Sequence, residues 1–125
     1  MPLNKKKFFF VTGARSEFGQ FSYFLKKLSE EKKIDLSILV TGMHLSKKYG
    51  YTYKDIVQTN LKIIKKIDLD INNDKSFTVP NSISTGIKKF NNFFIRNRPD
   101  YLILPCDRFE ILCPAIAAFF LKIFI

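Results

Sequence analysis

The chain has 125 residues, enough for one domain with a modest hydrophobic core. Hydrophobic residues make up 46% of it and include 14 phenylalanines, a composition that excludes an intrinsically disordered chain. The formal net charge is +10, but the lysines occur as scattered pairs and not as one basic arm, so we expect solvated surface lysines and no nucleic-acid partner.

The cysteines and the apolar segments favour a cytoplasmic protein without a membrane partner. Cys106 and Cys113 do not form a CxxC pair and lie in an apolar segment, which favours a reducing compartment. The apolar run at residues 8–11 is too short for the core of a signal peptide. The run at 111–125 falls short of the ~20 residues that a membrane span needs and contains Pro114.

Strand and helix patterns alternate from the N terminus. The continuous apolar run at residues 8–11, ended by Gly13, predicts a strand buried on both faces. Ser16 is the predicted N-cap of the next helix, in which apolar residues recur at helical spacing. A second strand, a loop and a short helix are then predicted, at residues 34–40, 43–51 and 53–61.

The same alternation continues to the C terminus. Residues 61–69 alternate apolar and polar side chains, apart from Lys65, and predict a third strand. A polar loop, a helix, a buried strand and a second helix follow, at residues 72–81, 82–96, 101–104 and 109–120. Pro114 costs a helical hydrogen bond unless it lies in the first turn. Residues 123–125 begin a further strand.

Strands that alternate with helices predict an α/β fold, a Rossmann-like doubly wound parallel sheet with right-handed crossovers. Such a sheet needs its central strands covered on both faces. Because the sequence stops within an apolar strand signal, we expect residues 1–125 to form one incomplete, truncated domain.

Ligands of such folds bind outside the carboxyl ends of the strands, where three segments converge. In residues 12–17, Gly13 permits close backbone approach, the helix N terminus offers free N–H groups, and Arg15 can contact a phosphate. Neither GxGxxG nor GxxxxGK[ST] is present, so neither a dinucleotide fingerprint nor a P-loop is indicated. His44, the only histidine, follows the second strand; it is a candidate site residue or a structural histidine.

The third segment, residues 106–110, follows the fourth strand. Asp107 is either a chemical group or the N-cap of the helix that follows, and Arg108 with Glu110 is either part of the site or a helix-start pair. Cys106 is a weaker candidate for a nucleophile.

These segments, in this order, resemble the UDP-N-acetylglucosamine 2-epimerase family, and more closely its hydrolysing branch. Residues 11–19 (VTGARSEFG) are similar to the family's Thr-Gly-Thr-Arg-Ala-Asp/Glu-Tyr-Gly motif. Residues 41–46 (TGMHLS) and 50–52 (GYT) match its Thr-Gly-Met-His-Leu-Ser…Gly-x-Thr stretch. Residues 98–100 (RPD) and 107–110 (DRFE) resemble its Lys-Pro-Asp…Gly-Asp-Arg-Tyr/Phe-Glu segment, so the likeness spans nearly the whole chain.

The resemblance implies a UDP-sugar substrate. It places Arg15 and Gly19, together with Gly13, beside the nucleotide diphosphate, and Arg108 also on the UDP side. The implied reaction is anti elimination of UDP across C1–C2 to a 2-acetamidoglucal, followed by addition of water to give N-acetylmannosamine.

The same resemblance assigns the catalytic groups. Asp107 matches the family's catalytic aspartate, and His44 lies at its sugar-facing edge. The elimination and hydration need a base for the C2 proton, cationic donors for the departing diphosphate and an acid/base for the water. No metal or redox cofactor is implied, and the sequence offers no ligand cluster for one.

The sequence departs from the family at two individual positions and in length. Cys106 stands where the family usually has Gly, and Ser84 replaces another typical Gly. Family members are much longer, with two Rossmann-like domains of GT-B type around the nucleotide, and this chain resembles only the N-terminal part. We therefore expect no turnover by the chain alone, while a homo-oligomer is expected for the full-length family.

Three alternatives stay open. One is a 2-epimerase for GDP-linked diacetylbacillosamine, because the base would be selected mainly by the part of the family fold outside this chain. The others are a small non-catalytic α/β module that binds a nucleotide or a partner, and a basic nucleic-acid-binding domain, which lacks a recognition helix or stacking motif.

Overall fold

Four parallel strands form one sheet in the computed structural model, which describes residues 4–46, 50–69, 79–105 and 108–125. The strands are β1 (Lys6–Thr12), β2 (Ile34–Thr41), β3 (Ile63–Ile67) and β4 (Tyr101–Ile103), and their order in the sheet is β3-β2-β1-β4. The helices are α1 (Arg15–Ser29), α2 (Tyr53–Val57), α3 (Val79–Arg96) and α4 (Phe109–Phe120), and a 3-10 turn spans Gly42–Leu45.

The central strand β1 is buried on both faces, as its continuous apolar run predicts. Phe9 and Val11 contribute to the core on one face of the sheet, while Phe10 contributes to the core on the other. All three side chains are at most 2% exposed. Successive side chains of a strand point to opposite faces, so an unbroken run of apolar residues is needed at this position.

Helices cover both faces of the sheet. α3 and α4 supply Phe90, Phe94 and Ala117 to the core that contains Phe9, whereas α1 and α2 supply Leu25 and Ile56 to the core that contains Phe10. The prediction of a doubly wound parallel α/β sheet is therefore confirmed.

The start of α1 corrects one prediction. Ala14, and not Ser16, is the N-cap residue, with extended backbone at φ −150° and ψ 150°. Ser16 lies exposed within the first helical turn. An alanine can hold this position because Glu17, three residues further on, reaches back to the backbone N–H group of Ala14 at 3.1 Å.

Other boundaries also differ from the sequence-based predictions. The predicted loop at 43–51 begins as the 3-10 turn Gly42–Leu45, and its residues 47–49 lie outside the described residues. The helix predicted at 53–61 is shorter than expected and ends at Val57. Of the predicted loop at 72–81, residues 72–78 lie outside the described ranges, and the last three already belong to α3.

The C-terminal segment follows its prediction with one irregularity. Pro114 is the sixth residue of α4, beyond the first turn, so it has no N–H group to donate to the carbonyl of Glu110. The predicted strand at 123–125 is present as a single parallel bridge between Tyr101 and Phe124. Within the described ranges, no helix combines the length and the apolarity that crossing a bilayer requires.

Gly86 allows α3 and α4 to pack closely. A Cβ atom added to Gly86 would lie 2.6 Å from both Cys113 Sγ and Leu69 Cδ2, and both of those side chains are fully buried. A close-packed interior has no free volume to absorb such an overlap. Glycine is therefore required here by the distance between the two helices.

We predict that Gly86→Ala destabilises the chain by about 1–3 kcal/mol through this overpacking. Gly19→Ala is the matched control, because Gly19 is also helical but has no atom within 4 Å of an added Cβ. The control should gain roughly 0.5–1 kcal/mol from helix propensity. Urea unfolding of both variants measures the difference, and equal stabilities would contradict the close approach of the two helices.

Candidate functional site

Three turns meet at the carboxyl edge of the sheet. Gly13 follows β1, Gly42 follows β2, and Glu110 lies in the first turn of α4, the helix after β4. An added Cβ on Gly42 would lie 2.9 Å from both the Gly13 carbonyl oxygen and Glu110 Cγ, and one on Gly13 would lie 3.4 Å from Glu110 Cβ. The turns are therefore in van der Waals contact, which brings the predicted segments together.

A buried carboxylate organises the first of these turns. Glu17 is 6% exposed, and its Oε1 accepts hydrogen bonds from the N–H groups of Gly13 at 2.5 Å and Ala14 at 3.1 Å. The Thr12 hydroxyl donates to the same oxygen at 3.5 Å. The sequence predicted free N–H groups for a phosphate at this helix start, but those of Gly13 and Ala14 are occupied by Glu17.

His44 lies buried in a hydrogen-bonded chain between two threonines. Its Nε2 lies 2.9 Å from Thr12 Oγ1 and its Nδ1 lies 2.8 Å from Thr52 Oγ1, and the side chain is 1% exposed. Burial lowers the pKa of His44 to about 4, although the negative charge of Glu17 acts in the opposite direction. The imidazole is therefore neutral at pH 7, with both nitrogens hydrogen-bonded.

Arg15 belongs to the turn after β1 and is open to solvent. We call the surface formed by residues 12–15, 42–44 and 108–110 at the carboxyl edge of the sheet the rim. The Nε atom of Arg15 lies 3.5 Å from Asp55 Oδ2, and the Arg15 side chain is 77% exposed. Asp55 belongs to α2, the helix that follows Thr52, and its charge acts on the pKa of His44. Arg15 contacts Asp55 and His44 contacts Thr52, so both are linked to the segment at the start of α2. Gly19 follows Arg15 by one helical turn and is also exposed.

Arg108 is held against the third turn by a bidentate contact. Its Nε and Nη2 atoms donate to Glu110 Oε2 at 3.1 Å and Oε1 at 2.9 Å. The guanidinium side chain is 43% exposed, whereas that of Glu110 is completely buried. Arg108 and Glu110 therefore pair at the start of α4, and part of the Arg108 side chain is exposed to solvent.

α4 contains a cysteine that is not activated as a nucleophile. Cys113 is free and buried, and burial together with the charge of Glu110 raises its pKa to about 11. Its thiol is therefore protonated at neutral pH. Asp107 and Cys106, the predicted catalytic residue and its neighbour, lie outside the described residues. Across the described ranges, no group of three or more His, Cys, Asp or Glu side chains is placed to hold a metal ion.

The structure also shows contacts between motif residues that the sequence did not predict. Thr12 and Thr52 contact opposite ring nitrogens of His44, and Glu17 and Glu110 are both buried next to Gly13. A signal existed for Glu17, because an acidic residue three positions after an N-cap forms half of a capping box. No local pattern links Thr52 to His44, because the two residues are eight positions apart in the sequence.

A family model described as UDP-N-acetylglucosamine 2-epimerase matches residues 26–125. A polysialic acid biosynthesis protein P7 from Escherichia coli is 40% identical over 113 residues, covering 90% of this chain and 29% of that protein. A hydrolysing UDP-N,N'-diacetylbacillosamine 2-epimerase from Legionella pneumophila is 37% identical over 118 residues, covering 94% of this chain and 31% of that protein. The chain thus spans about three tenths of the length of these relatives.

Solved structures share the fold. A crystal structure of a UDP-N-acetylglucosamine 2-epimerase superposes with a TM-score of 0.77 at 20% identity and covers 97% of this chain and 31% of its own. The Neisseria meningitidis UDP-GlcNAc 2-epimerase, solved with UDP-GlcNAc bound, gives a TM-score of 0.74 at 19% identity, with 94% and 30% covered.

We predict that Gly42→Ala is far more destabilising than Gly50→Ala. Both glycines have positive φ angles, +62° and +86°, so both variants carry a backbone strain of about 1–2 kcal/mol. Only the Cβ at position 42 collides with the neighbouring turn, where overpacking adds roughly 1–3 kcal/mol. Chemical denaturation measures the difference, and equal losses in the two variants would contradict the contact between the turns.

We predict a pH-dependent stability that His44 causes. Between pH 6.5 and about 4 the unfolded chain binds a proton on His44 that the folded chain does not, so the free energy of unfolding falls as the pH is lowered. By pH 4 this group should account for about 3 kcal/mol of the loss. His44→Gln replaces the imidazole with an amide, which can still hydrogen-bond but does not titrate in this range.

Urea unfolding of both proteins from pH 7.5 to pH 4 isolates this effect, because the carboxylates titrate in both. The stability of the wild type relative to His44→Gln should decrease steadily as the pH falls. A difference that stays constant with pH would show that the buried imidazole is not held neutral.

Proposed function

Because this chain belongs to the UDP-N-acetylglucosamine 2-epimerase family, we propose that it forms the N-terminal, nucleotide-facing part of a hydrolysing 2-epimerase. The enzyme would convert UDP-N-acetylglucosamine and water into N-acetylmannosamine and UDP. The observation that carries this proposal is the rim itself, where His44 lies between two threonines and Arg15 and Arg108 present exposed cations on adjacent turns.

The two arginines suit the departing diphosphate. In the proposed first step a base removes the C2 proton, the C1–O bond to the diphosphate breaks, and a C1–C2 double bond forms. Negative charge develops on the leaving phosphate oxygens, and cationic donors stabilise it. Arg15 is exposed and pairs only loosely with Asp55, while Arg108 is fixed by Glu110 with part of its surface open. Gly13 and Gly19 would border the same diphosphate, Gly19 leaving open space beside Arg15.

His44 would act through its threonine partners. Both ring nitrogens are engaged, so a proton reaches or leaves the imidazole by way of the hydroxyl of Thr12 or Thr52. A neutral imidazole can accept a proton at one nitrogen and donate one at the other. We propose this role at the sugar-facing edge, and we assign the catalytic carboxylate to Asp107 on the resemblance of residues 107–110 to the family motif.

The chain covers only about three tenths of the length of its relatives. We therefore propose that the other acid/base groups and most of the uridine contacts come from the rest of the family fold. Residues 1–125 then form an incomplete N-terminal domain that does not turn over alone. We also propose a cytoplasmic location, which a free, buried Cys113 thiol suits, and a homo-oligomeric full-length form.

The relatives differ in the sugar nucleotide that their names give as substrate. Relatives from Legionella pneumophila and Campylobacter jejuni are named as hydrolysing 2-epimerases of UDP- and GDP/UDP-linked diacetylbacillosamine, at 37% and 32% identity. A diacetylbacillosamine nucleotide is therefore the second candidate substrate. The name of the Escherichia coli relative supports a product that enters a sialic-acid type of sugar synthesis.

We predict that the isolated chain releases no UDP from UDP-N-acetylglucosamine in repeated turnover. A chimera in which it replaces the aligned segment of the Legionella enzyme should release UDP from UDP-N-acetylglucosamine or from UDP-diacetylbacillosamine. A coupled assay that detects released UDP measures the turnover of the isolated chain and of the chimera. Sustained turnover by the isolated chain would contradict the incomplete site, and a folded chimera inactive on both substrates would contradict the proposed function.

In the same chimera, Arg15→Ala should lower kcat/KM about 10- to 100-fold, as expected for loss of a charged contact to the diphosphate. Lys26→Ala is the matched control, because Lys26 is an exposed cation in the last turn of the same helix, α1. Equal activities of the two variants would remove Arg15 from the site.

A further inference from the structure

A concave surface that shares no lining residue with the rim lies between the outer edge of the sheet and α3. It encloses about 530 Å³ and is lined by residues 65–68 of the β3 segment and by one side of α3. Consecutive residues of a strand point to opposite faces, so four residues in a row can line only a groove that follows the strand's edge. We call this surface the β3 groove.

The β3 groove is positively charged. Lys65, Lys89 and Arg96 line it, and Asp68 is the one acidic residue among its described lining. Within the described part of the chain, neither Lys65 nor Arg96 forms an ion pair. Lys89 donates to the backbone carbonyl of Asp68 at 2.6 Å, which keeps its charge at the groove.

The strand at this groove has an open side. β3 is the first strand in the sheet order and pairs with β2 on its other side, and no second neighbour is found among the described residues. In a parallel strand, alternate residues direct their N–H and C=O groups outward, where another extended segment can bind them. Asn92 and Phe93 of α3 line the facing wall and supply an amide and an apolar surface.

We infer that the β3 groove binds an extended, acidic polypeptide segment of a partner protein, which adds as a strand to the edge of β3. Main-chain hydrogen bonds would supply affinity, and carboxylates on alternate residues would meet Lys65, Lys89 and Arg96. Edge-to-edge pairing of two copies through their β3 grooves is disfavoured, because both grooves carry the same positive charge. The inference does not depend on the proposed enzymatic function, since the groove lies apart from the rim.

The experiment uses a synthetic seven-residue peptide in which Glu and Val alternate, titrated into the 125-residue chain at low salt. We expect NMR shift changes at the amides of residues 65–68 and along the facing side of α3. A peptide with Lys in place of Glu should not bind. An analogue N-methylated on its pairing edge should bind at least about tenfold more weakly, because it cannot complete the strand pairing.

Charge reversal supplies the matched pair of variants. Lys65→Glu with Arg96→Glu should weaken binding of the acidic peptide about tenfold or more and create binding of the Lys peptide. Lys32→Glu with Lys33→Glu makes the same change in net charge at an exposed turn outside the groove, and should change binding less than twofold. Thermal unfolding checks that both variants are folded.

Three results would overturn the inference. Equal weakening by the two charge-reversed variants would show that only net charge matters. Equal binding of the N-methylated peptide would exclude strand addition. A single-stranded oligonucleotide that binds the β3 groove more tightly than the acidic peptide would assign the surface to nucleic acid.

Discussion

The contact between the turns after β1, β2 and β4 is the constraint on which the candidate site depends. Gly42 lies against the Gly13 carbonyl and the side chain of Glu110, at distances that leave no room for a methyl group. Two buried carboxylates, Glu17 and Glu110, both lie next to Gly13 at this contact. Buried carboxylates are costly unless they accept hydrogen bonds, and each has strong donors: two backbone N–H groups for Glu17 and a guanidinium for Glu110.

The architecture was predictable because the apolar pattern is a property of local sequence. Short apolar runs gave the strands of the sheet, and the position of His44 directly after β2 predicted that it would lie at the carboxyl edge. The start of α1 was not predictable in the same way. Residue preferences favoured Ser16 as N-cap, yet Glu17 satisfies the backbone from within the helix and allows Ala14 to take that position.

The environment of the site residues could not be read from sequence. A histidine in a turn is ordinarily exposed, and the burial of His44 between Thr12 and Thr52 brings together residues from separate segments of the chain. Likewise, Arg108 and Glu110 are visible as a local pair, but nothing local indicates that Glu110 would be fully buried against two glycines. Contacts between residues distant in sequence determine the protonation state of His44, and therefore its chemistry.

The position of Pro114 affects how the turn that carries Arg108 is held to α4. Because proline offers no hydrogen at that point, the carbonyl of Glu110 has no partner one turn further along α4. The opening turn of α4 is thus attached to the body of the helix by one main-chain link fewer than an unbroken helix would have. The bidentate contact of Arg108 with Glu110 supplies a side-chain link at the same end of the helix.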